Sequence, residues 1–187
     1  MISRLATERA LRATLLIVAG FSAGGSANGD CLSALEDAKK AASAQDYQKF
    51  DQTPGQGWRQ LAEQQSCFLE AGDLIDSYLA TRSDLRESQR VNLSFHAGQV
   101  YAFGGRNDEA VKRFRNAVRN PSAPPQFKWS EYVLATIAFL EHDAEALVKN
   151  RDVIADATGD PANQSNLRII DLLIANFDKP YQEALRR

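Results

Sequence analysis

The feature that most limits what this chain can fold into is an internal repeat. Tyr101, Ala102, Phe103, Glu109, Ala110 and Val111 recur 36 residues later as Ile137, Ala138, Phe139, Glu145, Ala146 and Leu147, with four identities in the six pairs. A unit of that length holds two helices and a turn. One such pair cannot bury its own apolar face, so neighbouring pairs must stack and share an interior. Within residues 91–120, Gly98, Tyr101, Gly105, Ala110, Phe114 and Ala117 fall at the intervals of a helix, a tight turn and a second helix. Gly98 and Ala110 are small enough to let two helix backbones approach, and Tyr101, Phe114 and Ala117 are sized to fill the space between them. Gly105 supplies the turn, and Asn107 or Asp108 is placed to accept the first backbone N–H groups of the second helix.

Trp129 and Tyr132 open the second copy, in which His142 and Asp143 replace the glycine turn. Moving back 39 residues brings Glu109, Ala110 and Phe114 onto Glu70, Ala71 and Ile75, a weaker copy whose short first helix spans residues 58–67. A further helix is expected over residues 32–50, with Leu35, Ala38 and Ala42 near one face. Pro54, Gly55 and Gly57 break it. Residues 166–185 read as a truncated capping pair, with a turn over 177–180 and Pro180 near a helix start, where its missing N–H costs little. No run alternates as a half-buried strand must. The expected class is therefore all-α: stacked antiparallel helix hairpins, about three units plus a preceding helix. An unrelated helical bundle is the alternative, because packing imposes similar spacing on any helix hairpin.

On these residues the chain resembles the tetratricopeptide-repeat family, whose unit is about 34 residues with small and aromatic residues at set intervals. Ser94 and Ala97 stand where that family has its early Trp and Leu, and the closing proline comes one residue early, at Pro121. The resemblance covers about residues 55–185. It implies an α-solenoid whose first helices line a concave surface, with Asn92, Phe95, His96, Gln99, Lys128 and Glu131 as the binding positions for a protein or peptide partner. Some relatives hold a partner's terminal carboxylate with lysines and asparagines in this groove. Asn92 and Lys128 are the only such candidates here, so that specificity is not carried over.

The first residues form a different kind of segment. Arg4, Arg9 and Arg12 precede an apolar stretch over residues 13–23, followed by Gly24, Gly25, Ser26 and Ala27. The apolar part is well short of the roughly 20 residues that a spanning helix needs, and the order is that of a secretory signal peptide. Residues 1–27 are expected to be the signal peptide, cleaved after Ala27, and residues 28–187 a single domain, secreted or periplasmic. No stable membrane insertion is expected after cleavage. An uncleaved membrane anchor or an ordinary buried helix is the other reading of the segment. The only two cysteines, Cys31 and Cys67, would then meet an oxidising compartment, where one disulfide between them is the simplest outcome. Two free thiols and lipidation at Cys31 are the alternatives, the second disfavoured by Asp30 directly before the cysteine.

Removing residues 1–27 takes three arginines and one glutamate from totals of 22 basic and 24 acidic residues, leaving 19 and 23 and a formal charge of −4. A nucleic-acid partner is not expected from such a balance, since binding to a phosphate backbone needs a positive field. The densest basic stretch, Lys112, Arg113, Arg115 and Arg119, reads as a solvated helix face.

Phosphate loops, dinucleotide fingerprints, H-E-x-x-H and the G-x-S-x-G elbow are missing from the sequence. The two histidines, His96 and His142, fall at different places in their units, so no metal site, no cofactor and no catalytic residue is assigned. Asn92 and Asn163 each begin an Asn-x-Ser sequence, taken as coincidental. Trp58, Trp129, Tyr101 and Tyr132 have two readings, hairpin cores or an aromatic grip on a ligand. The leading expectation is an exported, non-catalytic protein- or peptide-binding adaptor or scaffold of the cell envelope. The rivals are a small-ligand-binding protein or enzyme with a pocket near Trp58, Trp129 and His96, and a structural envelope protein acting as a homo-oligomer.

Overall fold

The computed structural model describes residues 28–64, 66–119, 126–157 and 159–186. The signal-peptide and cleavage expectations, and Pro121, lie outside them. Among the described residues every regular element is helical. These are α1 (Asn28–Ala42), α2 (Phe68–Thr81), α3 (Glu87–Phe103), α4 (Asn107–Ala117), α5 (Trp129–Leu140), α6 (Ala144–Asp156), α7 (Pro161–Ala175) and α8 (Tyr181–Ala184), with π-helical turns at Gln48–Gln52 and Gln60–Gln64. Each helix packs on its neighbour in chain order, and α5 also packs on α7. The protein is a stack of antiparallel helix hairpins with α1 lying against α2.

The helix expected over residues 32–50 is divided. α1 ends at Ala42, and Asp46 starts the next turn by accepting the Lys49 backbone N–H at 2.8 Å. Asp46 competes with helix continuation in this way because a short carboxylate reaches nearby backbone donors. The short helix expected over residues 58–67 is a single turn that widens into the π-helical stretch Gln60–Gln64.

The two central hairpins turn alike. Arg106 N–H bonds Tyr101 O at 2.9 Å and Asp143 N–H bonds Ala138 O at 2.8 Å, with Gly105 (φ 76°) and His142 (φ 56°) in the left-handed region. This is the hydrogen-bond pattern of a helix C-cap that reverses the chain. Equivalent bonds are separated by 37 residues, one more than the spacing of the sequence identities. One residue is about 100° of helix rotation. Ala110 therefore corresponds to the buried Leu147, and Val111 to the exposed Val148. The N-terminus of α4 also departs from expectation. Arg106 occupies the cap without a side-chain bond to the backbone, and its guanidinium binds Glu109 instead.

Phe95 is the hub of the interior. Its ring is 5.3 Å from Phe114 in α4, 4.8 Å from Trp129 and 5.5 Å from Tyr132 in α5, so one side chain joins two hairpins. Tyr101, expected between α3 and α4, faces α2. Its ring covers Gly72 and its hydroxyl lies within hydrogen-bond distance of both carboxylates, Asp73 at 2.8 Å and Asp76 at 2.9 Å, and Arg113 completes the group at 2.7 Å from Asp76. Gly98 makes room for the Phe114 ring, since a Cβ there would lie 2.7 Å from it. Phe114 is fully buried and has nowhere to retreat. Gly98→Ala is therefore expected to cost about 1 to 3 kcal/mol by overpacking. Gly159→Ala, where a Cβ meets nothing within 4 Å, should stay within about 0.5 kcal/mol of the parent. Thermal unfolding of the two variants checks the contrast.

Cys31 and Cys67 are bonded, with Cα atoms 5.6 Å apart. The bridge joins α1 to the cap residue immediately before α2. Among the described residues no helix is long and apolar enough to cross a membrane.

Candidate functional site

Residues 45–64 are irregular, with two π-helical turns, and hold the most buried charge among the described residues. Asp51 is fully buried in the turn Gln48–Gln52. It survives there because its oxygens are all engaged: Oδ1 faces His96 Nδ1 at 2.7 Å and accepts Trp58 Nε1–H at 2.9 Å, Oδ2 accepts from Gln52 at 2.5 Å, and the backbone carbonyl accepts from Arg59 at 3.0 Å. Burial alone would raise the carboxyl. The electrostatic attraction of His96, with the hydrogen bonds that Asp51 shares with His96, Trp58 and Gln52, more than offsets burial and holds Asp51 at about 2. Arg59 lies over the Trp58 ring at 4.2 Å and pairs with Glu63 at 3.2 Å.

A second set of bonds runs outward. The Tyr47 hydroxyl accepts from Gln52 at 3.1 Å and from Asn92 at 3.2 Å, and burial pushes it well above the usual phenol range. Arg119 approaches Asn92 at 3.5 Å and lies over the Trp129 ring at 5.0 Å. The turn is anchored to α2 as well. Phe50 stacks on Tyr78 with centroids 3.7 Å apart, and the Gln45 carbonyl accepts from Tyr78 at 3.0 Å and from Arg82. Arg82 in turn pairs with Asp84 at 2.7 Å, and its hydrogen bond holds that carboxyl at about 2.

Between this turn and the start of α3 lies an open cleft of about 530 Å³, lined by Tyr47, Gln48, Gln52, Arg82, Arg86 and Gln89 together with Asp46, Asp84 and Leu85. Its charges balance. Gln89 Oε1 caps α3 by accepting the Arg86 N–H at 2.9 Å. Gln48 and Arg86 are exposed. The cleft offers carboxamides around one aromatic ring, and among them Gln48 is exposed while Gln52 and Gln89 are engaged in bonds to the surrounding fold.

The six expected groove positions do not form one open surface. Asn92, Phe95, His96 and Gln99 are buried, at 5%, 1%, 5% and 1% exposure, so none is open to a partner in this conformation. Asn92 and His96 are spent on Tyr47 and Asp51, and Phe95 on the aromatic interior. Lys128 and Glu131 are half-buried at the start of α5, where the Lys128 N–H donates to Asn163 at 2.9 Å. Trp58 and Trp129 are core, at 0% and 3% exposure, with indole N–H groups bonded to Asp51 and to the Ala117 carbonyl. Both Asn-x-Ser asparagines, Asn92 and Asn163, are buried. Among the described residues the one close grouping of three cysteine, histidine or carboxylate ligand atoms is Cys31, Cys67 and Glu70, and its two sulfurs are bonded to each other.

Sequence reasoning passed over Tyr47, Gln48, Asp51, Gln52, Arg86 and Gln89. The one signal that could have found them is polar side chains crowded around a proline- and glycine-bearing interruption between helices. Comparison with known protein families, with characterised proteins and with solved structures found no match.

Proposed function

We propose that this chain is an exported, non-catalytic adaptor of the cell envelope, of tetratricopeptide-like build, that binds a protein or peptide partner. The observation that carries the proposal is the open polar cleft between the Gln48–Gln52 turn and the start of α3. Large aromatic side chains such as Trp58, Phe95, Trp129 and Tyr132 are committed to the interior. The cleft groups Gln48 and Arg86 are exposed and free to meet main-chain amides. The disulfide fits an oxidising compartment, in line with a secretory signal over residues 1–27. A small-ligand or enzymatic pocket is the second reading, favoured by the Asp51–His96 pair at 2.7 Å. Full burial of Trp58 and Asp51 makes a substrate's approach to that pair difficult.

A photocrosslinking side chain placed at Gln48, and separately at Val153 on α6, tests the adaptor reading in the native compartment. Adducts with a discrete protein partner are expected from position 48, falling at least about fivefold when Arg86→Ala and Gln89→Ala are added, and not from position 153. Equal adducts at both positions, or none at 48, would contradict it.

A further inference from the structure

The basic stretch Lys112, Arg113, Arg115 and Arg119 does not act as one solvated face. Arg113 is neutralised by Asp76 and Arg115 by Glu141, both from α4. Arg119 lies beyond the end of that helix and is half-buried. Its backbone is pinned to α5, because its N–H donates to Ser130 Oγ at 3.1 Å and its carbonyl accepts from the same hydroxyl at 3.0 Å. The guanidinium rests over the Trp129 ring at 5.0 Å, and that ring is itself fixed by the indole bond to the Ala117 carbonyl.

What this guanidinium lacks is an acceptor. Among the described residues the other arginines that are buried or half-buried all have one. Arg59, Arg82, Arg113 and Arg151 reach carboxylates, and Arg90 reaches two backbone carbonyls. Arg119 has one polar side-chain contact, Asn92 Oδ1 at 3.5 Å, too long for a strong bond, and the Asn92 amide nitrogen is already spent on Tyr47. Residues 120–125, which follow in the chain, contain no acidic side chain. Removing a guanidinium from water without a counter-charge is unfavourable, and burial accordingly holds Arg119 below its ordinary value. An aromatic ring offsets only part of that penalty, whereas a bidentate anion offsets far more.

We infer that Arg119 is an oxyanion site, whose unused N–H groups take a carboxylate or phosphate group while Trp129 serves as a platform for the guanidinium. The planar fork of donors matches two oxygens carried on one atom, which sets the ligand class. The site stands whether or not the cleft binds a peptide, since a free anion is enough to occupy it.

The probes are sodium phosphate and sodium acetate, each titrated into the oxidised protein at an ionic strength held constant with chloride. Nitrogen-15 spectra follow the Arg119 Nε–H and the Trp129 indole N–H. Both signals should shift and saturate. Saturation by phosphate alone assigns a phosphate group, by acetate alone a carboxylate, and by both an unselective oxyanion site. Arg119→Lys keeps the charge but loses the fork, and should weaken binding at least about tenfold. Arg119→Gln should fold, show no saturable shift at Trp129, and have an unfolding midpoint that the anion no longer raises as it does in the parent. Shifts that never saturate with either anion would overturn the inference. So would equal binding by the parent and Arg119→Gln, which marks an adventitious ion only, or loss of the cooperative fold in Arg119→Gln, which would make the guanidinium a structural group.

Discussion

Replacing both cysteines, Cys31→Ser with Cys67→Ser, is expected to lower the free energy of unfolding by about 3 to 4 kcal/mol, the loop-closure value for a 36-residue separation in the chain-entropy account. The loss should be concentrated in α1. That helix buries only Leu35 and Ala42 fully, while Cys31, Ala34 and Ala38 are partly covered. Burial of so few methyl groups is worth roughly 2 to 3 kcal/mol. Ordering the backbone of the 15 residues of α1 costs about 1 kcal/mol or more for each. Helix hydrogen bonds offset much of that, but the tertiary contacts alone are too few to hold α1. Hydrogen exchange of the serine variant should show residues 28–42 unprotected while α3 stays protected, and denaturant unfolding gives the size of the loss. Unchanged protection of α1 would show that its packing suffices without the bridge.

Asp51→Leu is expected to cost about 3 to 5 kcal/mol, because it strands the His96 imidazole and the Trp58 indole N–H in the interior. Asp51→Asn keeps an acceptor and should cost less. The double change Asp51→Leu with His96→Leu should recover part of the loss, since it leaves neither member of the pair buried without its partner. The same pair sets an acid dependence. The Asp51 carboxyl moves from an ordinary 3.8 to about 2 on folding, so its contribution is complete above pH 3.8 and is lost as pH falls through about 2. Across that window the parent should lose about 2 kcal/mol more stability than Asp51→Asn, by the free energy of a shift of this size. Equal acid sensitivity of the two proteins would contradict the network.

The hairpins were legible because their markers are local. A glycine at the turn, small residues where helices meet and bulky residues between them write their positions into a few neighbouring letters, and α3 to α6 follow those letters closely. The register between units was not. Four identities at a 36-residue spacing suggested equivalence, but the turns align at 37, and a single residue decides whether Leu147 or Ala146 faces inward. The partner of Tyr101 was hidden for a related reason. Which of two flanking helices receives a ring depends on where Gly72 leaves space, and Gly72 is 29 positions away.

The candidate site was scarcely legible. Asp51 looks like a solvated loop residue until His96, 45 positions on, and Trp58 supply the hydrogen-bond partners that permit its burial. That pairing withdraws His96, and the Tyr47 hydroxyl withdraws Asn92, from the surface where a tetratricopeptide-like solenoid would present them. Gln99 is covered for a different reason, the return of α8 across α3, which no local pattern near Tyr181 announces.

The central claim is that successive hairpins share one interior in chain order, and the contact that embodies it is Phe95 in α3 against Trp129 and Tyr132 in α5. Nuclear Overhauser effects between ring protons, measured on protein with only these aromatic side chains labelled, read it directly. The account predicts strong cross-peaks from Phe95 to both rings. Their absence in the folded, oxidised protein would mean that the hairpins do not stack as described.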